Sequence, residues 1–169
     1  TPSLADHTDF GNALVASDGC IRPGTSQAVL GELKPAFVAD GTVTAGTSSP
    51  LTDGAAATLV VTEDYAKAHG LKALARIRSV AVSGCAPEIM GIGPVGASRK
   101  ALQRAGLTLA DIDIVELNEA FAAQALAVAD ELGLDLARTN IDGGALALGH
   151  PLGATGARIT GKAAALLQR

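Results

Sequence analysis

Between Asn140 and Ala157 the chain reads N-I-D-G-G-A-L-A-L-G-H-P-L-G-A-T-G-A, with glycine at 143, 144, 149, 153 and 156 and one histidine, His150. A segment with so few side chains cannot build its own core, so it must be shaped by close approach to other backbone or to a ligand. Pro151 then opens a run to Arg169 with Leu152, Ile159, Ala163 and Leu166 at helical spacing. Proline is favoured at the start of a helix, where its missing N–H costs nothing. His150 is therefore expected just outside a helix N-terminus. The positive end of a helix disfavours an imidazolium, so a neutral, base-competent imidazole is expected there. The plainer reading is that His150 caps the helix and the glycines serve packing.

A second segment, Asp111 to Leu132, has the same design. Ile112, Ile114 and Leu117 form a short β-rich run, and Asn118-Glu119 then reads as the opening of a helix with Phe121, Ala125, Ala129 and Leu132 on one face. Asn is a strong N-cap and Glu suits a first turn. In a parallel sheet Asn118 falls at the carboxyl end of a strand, the edge where open α/β sheets hold ligands. An amide and a neutral imidazole on one edge suit a carbonyl oxygen that gains charge. Taken alone, Asn118 is equally well a cap.

The rest of the chain reads as alternating strands and helices. Thr1 to Phe10 is polar and loose, and Thr25 to Leu33 is one helix stopped by Pro35. Thr42 to Pro50 starts β-rich and runs into small polar residues. Thr52 or Asp53 caps a short helix, Gly54 to Ala57, and Thr58 to Thr62 is a buried strand. A helix from Glu63 to His69 stops at Gly70, a strand runs from Ala75 to Val82, and a helix from Pro94 to Ala105 stops at Gly106. From Ala75 onward this order implies a right-handed parallel α/β arrangement.

Composition narrows the function. The hydrophobic class makes up 48% of 169 residues, yet there are only three Phe, one Tyr and no Trp, so the core must be made of small aliphatic residues packed closely. A net charge of −4 opposes broad nucleic-acid binding, which needs clustered cations. No apolar run approaches the ~18 residues of a membrane span. Two cysteines, Cys20 and Cys85, cannot form a disulfide framework, and His7, His69 and His150 lack metal-ligand spacing, so no metal is expected. Gly91-x-Gly93-x-x-Gly96 with Glu116 downstream formally matches a dinucleotide fingerprint, which makes an NAD-binding oxidoreductase the rival reading. Against it, Pro87 and its neighbours separate the first glycine from the preceding strand, whereas the fingerprint needs its turn at the strand end.

Asn118-Glu119-Ala120-Phe121, together with Gly143-Gly144-Ala145-Leu146-Ala147-Leu148-Gly149-His150-Pro151-Leu152-Gly153-Ala154-Thr155-Gly156, resembles the C-terminal part of the thiolases (acetyl-CoA C-acyltransferases). Thr42-Val43-Thr44-Ala45-Gly46, Asp53-Gly54-Ala55-Ala56-Ala57 and Met90-Gly91-Ile92-Gly93-Pro94 support the resemblance, which runs in register from about Asp18 to the end. It implies a layered α/β/α thiolase-like fold, here incomplete. Residues 1–41 are then the tail of a loop domain, 42–72 the last segment of the N-terminal repeat, and 73–169 the C-terminal repeat without its final strands.

The resemblance also implies thiolytic cleavage of 3-ketoacyl-CoA, or the reverse condensation, through a cysteine thioester. His150 would deprotonate the nucleophile, Asn118 would hold water in an oxyanion site, and Glu119 would support both. Ser49 would line the pantetheine channel for coenzyme A, and Met90 would border the acyl pocket. Acyl-CoA and acetyl-CoA are the implied partners, in a homodimer or homotetramer; a cytoplasmic enzyme is the default expectation, an organelle the alternative. Neither Cys20 nor Cys85 aligns with the family's two catalytic cysteines, so the chain alone is expected to be inactive; a non-catalytic CoA-binding or assembly module is the remaining alternative. Thr47 and Thr52 stand where asparagines are usual, and Pro50 where glycine is common.

Overall fold

The structure is a computed structural model that describes residues 18–169; the loose stretch expected at Thr1 to Phe10 lies outside them. Among the described residues six α-helices follow one another: α1 Gln27–Gly31, α2 Glu63–Ala68, α3 Gly93–Ala105, α4 Ala122–Leu132, α5 Ala145–Leu148 and α6 Leu152–Leu166. The expected stops hold for physical reasons. Gly70 and Gly106 take positive φ, 62° and 68°, where a Cβ would be strained, and Gly133, at which no stop was read from the sequence, ends α4 in the same way at 68°. After each of them the next N–H turns back onto the helix: Leu71 N donates to Ala66 O, Leu107 N to Leu102 O and Leu134 N to Ala129 O. At the front of α2, Thr62 accepts a bond from Tyr65 N, and Glu63 and Asp64 occupy the first turn.

Most of the expected helices form, but several boundaries move, one expected helix is absent and α5 was not expected. The first is shorter than Thr25 to Leu33, beginning at Gln27 behind a Ser26 cap. Gly54 to Ala57 is not a helix. The helix after Asn118-Glu119 starts only at Ala122, with Phe121 in the N-cap position, so Asn118 is not its cap. Ser48 and Phe121 make an antiparallel bridge, and Ser49 N donates to Ala120 O at 3.0 Å. That pairing takes Phe121 into extended backbone, φ −139° and ψ 143°, and delays helix entry.

The expected strands at 58–62 and 75–82 form no ladder among the described residues. A strand is completed by its neighbour, and here the neighbour is a helix. Thr58 Oγ1 donates to Ala157 O on α6. Ser79 Oγ donates to Ala101 O on α3, while Arg104 and Lys100 of α3 donate to Val80 O and Val82 O. Leu59, Val60, Ile77, Val80 and Val82 remain exposed. The run expected at 111–117 does pair: Val115 and Thr139 form a parallel bridge, with Val115 N donating to Arg138 O and Asn140 N to Val115 O, both at 2.9 Å.

Small residues make the interior, as the composition requires. α4, α3 and the 3-10 turn Pro87–Ile92 pack on one another, and Val128 and Ala129 of α4 and Val95 of α3 are buried, Val128 fully. A second buried group, Ala145, Ala154, Thr155 and Leu166, lies around α5 and α6. Fully burying a valine contributes about 1.5–3 kcal/mol. The glycines of the rival dinucleotide motif belong to this packing. A Cβ at Gly91 would meet Gln124 Cγ at 2.6 Å, and one at Gly96 would meet Ser83 Oγ at 2.6 Å. Neither takes positive φ, and the 3-10 turn rather than a strand precedes α3, so the oxidoreductase reading has no phosphate-binding turn to rest on.

Candidate active site

Three stretches of chain meet around His150. The first link is Asn140, one of the few non-glycine residues able to adopt left-handed backbone, here at φ 49°. Its side-chain amide continues the pairing that its backbone leaves off: Leu117 N donates to Asn140 Oδ1 at 2.9 Å, and Asn140 Nδ2 donates to Leu117 O at 2.8 Å. Asn140 Nδ2 also donates to Glu119 Oε1 at 2.7 Å. The other carboxylate oxygen of Glu119 accepts from Leu146 N at 3.1 Å, on the first turn of α5. Glu119 therefore ties the Asn118 turn to the glycine-rich segment. Gly144 is required there, because a Cβ would run into the Glu119 carboxylate.

The second link is the stretch from Ser48 to Gly54. Ser49 Oγ and N both donate to Ala120 O, two residues past Asn118. Three residues further on, Thr52 Oγ1 accepts from His150 N at 3.1 Å. An extended chain covers ~11 Å in three residues, which bounds the separation of these two attachment points. The Thr52 hydroxyl donates its own proton to Pro50 O at 2.6 Å, and Cys20 Sγ lies 4.0 Å away. Gly149, at φ 91° and ψ 165°, sits against Thr52 so closely that a Cβ would overlap it, and a Cβ at Gly54 would meet Pro151 at 2.8 Å.

The third link is α6 itself. His150 stands immediately before Pro151, the N-cap residue of this helix, as expected. Its Nδ1 lies 2.7 Å from Thr155 Oγ1, and that hydroxyl donates to Pro151 O at 3.0 Å. From further along α6, Lys162 Nζ donates to Gly143 O and lies 3.3 Å from the buried carboxylate of Glu116; the latter is an ion contact without an aligned hydrogen bond. Arg169 grips Asp142 with two bonds, 2.8 and 3.1 Å, and this guanidinium holds the exposed Asp142 carboxyl below the ordinary aspartate value. The loop before His150 is thus held by the helix after it.

Asn118 Oδ1 is buried without a hydrogen-bond partner among the described residues. Such an acceptor is expected to find a donor in a working site. Met90 takes part in none of these bonds: the residue is 77% exposed, on the turn that Gln124 Nε2 fastens to α4 through Gly91 O. No described cluster of His, Cys, Asp and Glu has the geometry of a metal site. No described helix is long and apolar enough to cross a membrane. Asn140, Thr52 and Thr155 are the residues that sequence reasoning did not single out as site members. Thr155 was findable in principle, lying one turn past His150 on the same helix start. Thr52 stood out as a candidate helix cap and as a departure from the family's usual asparagine, in neither case as a partner of His150.

Residues 71–169 match the model of the thiolase C-terminal domain, and residues 4–64 match that of the thiolase N-terminal domain. A 3-ketoacyl-CoA thiolase of Shewanella loihica is 61% identical over 150 residues, covering 86% of this chain and 39% of the relative. An acetyl-CoA acetyltransferase of Paracoccus denitrificans is 54% identical over 149 residues, 88% of this chain and 38% of the relative. The crystal structure of human mitochondrial 3-ketoacyl-CoA thiolase in complex with CoA superposes with a TM-score of 0.82 at 48% identity, covering 90% of this chain and 39% of that one. The chain spans about 39% of the length of these relatives. With the α/β fold of those structures and both family models matched, the chain belongs to the thiolase family.

Proposed function

We propose that this chain is part of a thiolase-type acyltransferase that cleaves 3-ketoacyl-CoA with coenzyme A, or runs the reverse condensation, in fatty-acid β-oxidation. The observation that carries the reading is the junction at His150, where the Ser48–Gly54, Leu117–Phe121 and Asn140–Thr155 stretches are bonded together. In this reading the imidazole of His150 takes the proton from a cysteine thiol supplied outside this chain, since the thiolate is the reactive species. The thiolate adds to the 3-keto carbon, the bond to the α-carbon breaks, and acetyl-CoA leaves as an enolate that a second cysteine, also outside this chain, protonates. Coenzyme A then takes the acyl group from the cysteine.

The buried Asn118 Oδ1 supports a role in holding water beside the oxyanion, because an orphaned acceptor in a dry site favours a donor there. Glu119 supports both motifs through Asn140 and Leu146. Ser49 is read as a contact of the pantetheine arm and Met90 as a border of the acyl pocket, each on the family pattern. The layered α/β/α arrangement, the division into residues 1–41, 42–72 and 73–169, a homodimer or homotetramer, and a cytoplasmic location complete the proposal.

The test is CoA-dependent loss of a 3-ketoacyl-CoA, followed in a full-length thiolase carrying this segment. His150→Ala is expected to lower kcat about 10²–10⁴-fold, the usual contribution of a positioned general base. The 169-residue chain alone is expected to show no turnover. Unchanged kcat in the His150→Ala enzyme, or turnover by the isolated chain, overturns the assignment.

A further inference from the structure

His150 is held at two points, and each is a threonine hydroxyl whose own proton is committed to a proline carbonyl. At the backbone, Thr52 Oγ1 gives its proton to Pro50 O and so accepts the N–H of His150. At the ring, Thr155 Oγ1 lies 3.0 Å from Pro151 O and 2.7 Å from Nδ1. A hydroxyl has one hydrogen, and a carbonyl oxygen can only accept. If that hydrogen goes to Pro151 O, the hydrogen between Thr155 and the ring must come from Nδ1. The opposite arrangement sets two oxygen lone-pair regions against each other at 3.0 Å. Pro151 O also accepts from Ala154 N and Thr155 N, but those bonds do not relieve that repulsion.

Thr155 has little freedom to escape the constraint. It is 5% exposed, on the first turn of a 15-residue helix, in the side-chain position that bonds back to the carbonyl four residues earlier. No described residue hydrogen-bonds Nε2 of His150. We propose that Thr155 is a positioning residue that fixes neutral His150 in the Nδ1–H tautomer and leaves Nε2 as the nitrogen that accepts a proton. The direction of that proton transfer rests on the acyltransferase reading; the tautomer does not. Which ring nitrogen carries the hydrogen is set by the partner of the other, here a hydroxyl rather than a carboxylate.

Nitrogen-15 to proton correlation spectra of the labelled chain read the tautomer directly, without turnover. In the wild type, Nδ1 of His150 is expected to show the signature of a protonated ring nitrogen and Nε2 that of an unprotonated one. Thr155→Val keeps the shape but removes the acceptor, and is expected to lose the Nδ1–H signature; Thr155→Ser keeps the hydroxyl and is expected to retain it. A wild-type proton on Nε2, or an unchanged Nδ1–H signature in Thr155→Val, overturns the proposal. In a full-length thiolase, Thr155→Val is expected to lower kcat on the order of 10- to 100-fold at unchanged KM, with recovery in Thr155→Ser. A correct tautomer in the spectra with no activity loss from His150→Ala would instead remove the acyltransferase reading and leave the tautomer assignment standing.

Discussion

Replacing Gly149 by alanine perturbs the His150 junction in two separable ways. At φ 91° and ψ 165° the backbone lies in a region that only glycine visits readily, and holding alanine there costs about 1–3 kcal/mol. The new Cβ also overlaps the Thr52 side chain, which must move away from the position where it accepts His150 N–H. Losing that bond adds about 0.5–1.5 kcal/mol. Alanine restricts the unfolded chain, which returns roughly 0.4–1 kcal/mol. The balance is a destabilisation of about 0.5–4 kcal/mol, read as a lower urea midpoint at unchanged slope.

Two further glycines divide this figure. Gly143 also has a positive φ, 87°, but a Cβ there meets nothing within 4 Å, so Gly143→Ala carries backbone strain without the overlap. Gly156 lies within α6 with open space around its missing Cβ, and Gly156→Ala is expected to stabilise by about 0.5–1 kcal/mol. Thr52→Ala in the Gly149→Ala background removes the two tightest overlaps, with Thr52 Oγ1 and Cγ2, and leaves the contact with the residue 52 Cβ and the backbone strain, so the two substitutions are expected to couple. A Gly149→Ala variant as stable as wild type, or strictly additive with Thr52→Ala, would refute the close approach of these two residues.

Glu119→Gln replaces one of two accepting oxygens with a donor, so either Asn140 Nδ2 or Leu146 N must face another N–H; a loss of about 1–3 kcal/mol in urea unfolding is expected, and none if Glu119 is not the strut described. Acid is expected to weaken the loops held by Asp111 and Asp142. The N–H and hydroxyl of Thr108 lower the Asp111 pKa, and the Arg169 guanidinium lowers that of Asp142. A carboxyl whose folded pKa lies below its unfolded value contributes stability above the unfolded value and loses it as pH falls through the folded one. Carboxyl titration by NMR is expected to place both below ordinary aspartates, and Asp111→Asn to remove its share of the pH dependence.

Much of this arrangement is local and was legible in the order of residues. Glycines at 70 and 106 end helices because only the backbone conformation at the stop matters, and that depends on one residue. Pro151 fixes where α6 begins for the same reason, and so places His150 just before it. The motif residues, read together, were enough to show the thiolase resemblance. What required tertiary structure is whatever depends on a distant partner. Asn118 reads as a helix cap from its neighbours, yet Ser48 and Ser49 pair with Phe121 and Ala120 and hold the backbone out of the helix until Ala122. The apolar runs at 58–62 and 75–82 have strand character in their side chains, but a ladder is a property of two chains side by side, and among the described residues they lie against helices instead. The threonines that hold His150 show the same division. Thr155 is within one helical turn of the ring, whereas Thr52 comes from 98 residues away, and only the folded chain could bring its hydroxyl to the His150 N–H.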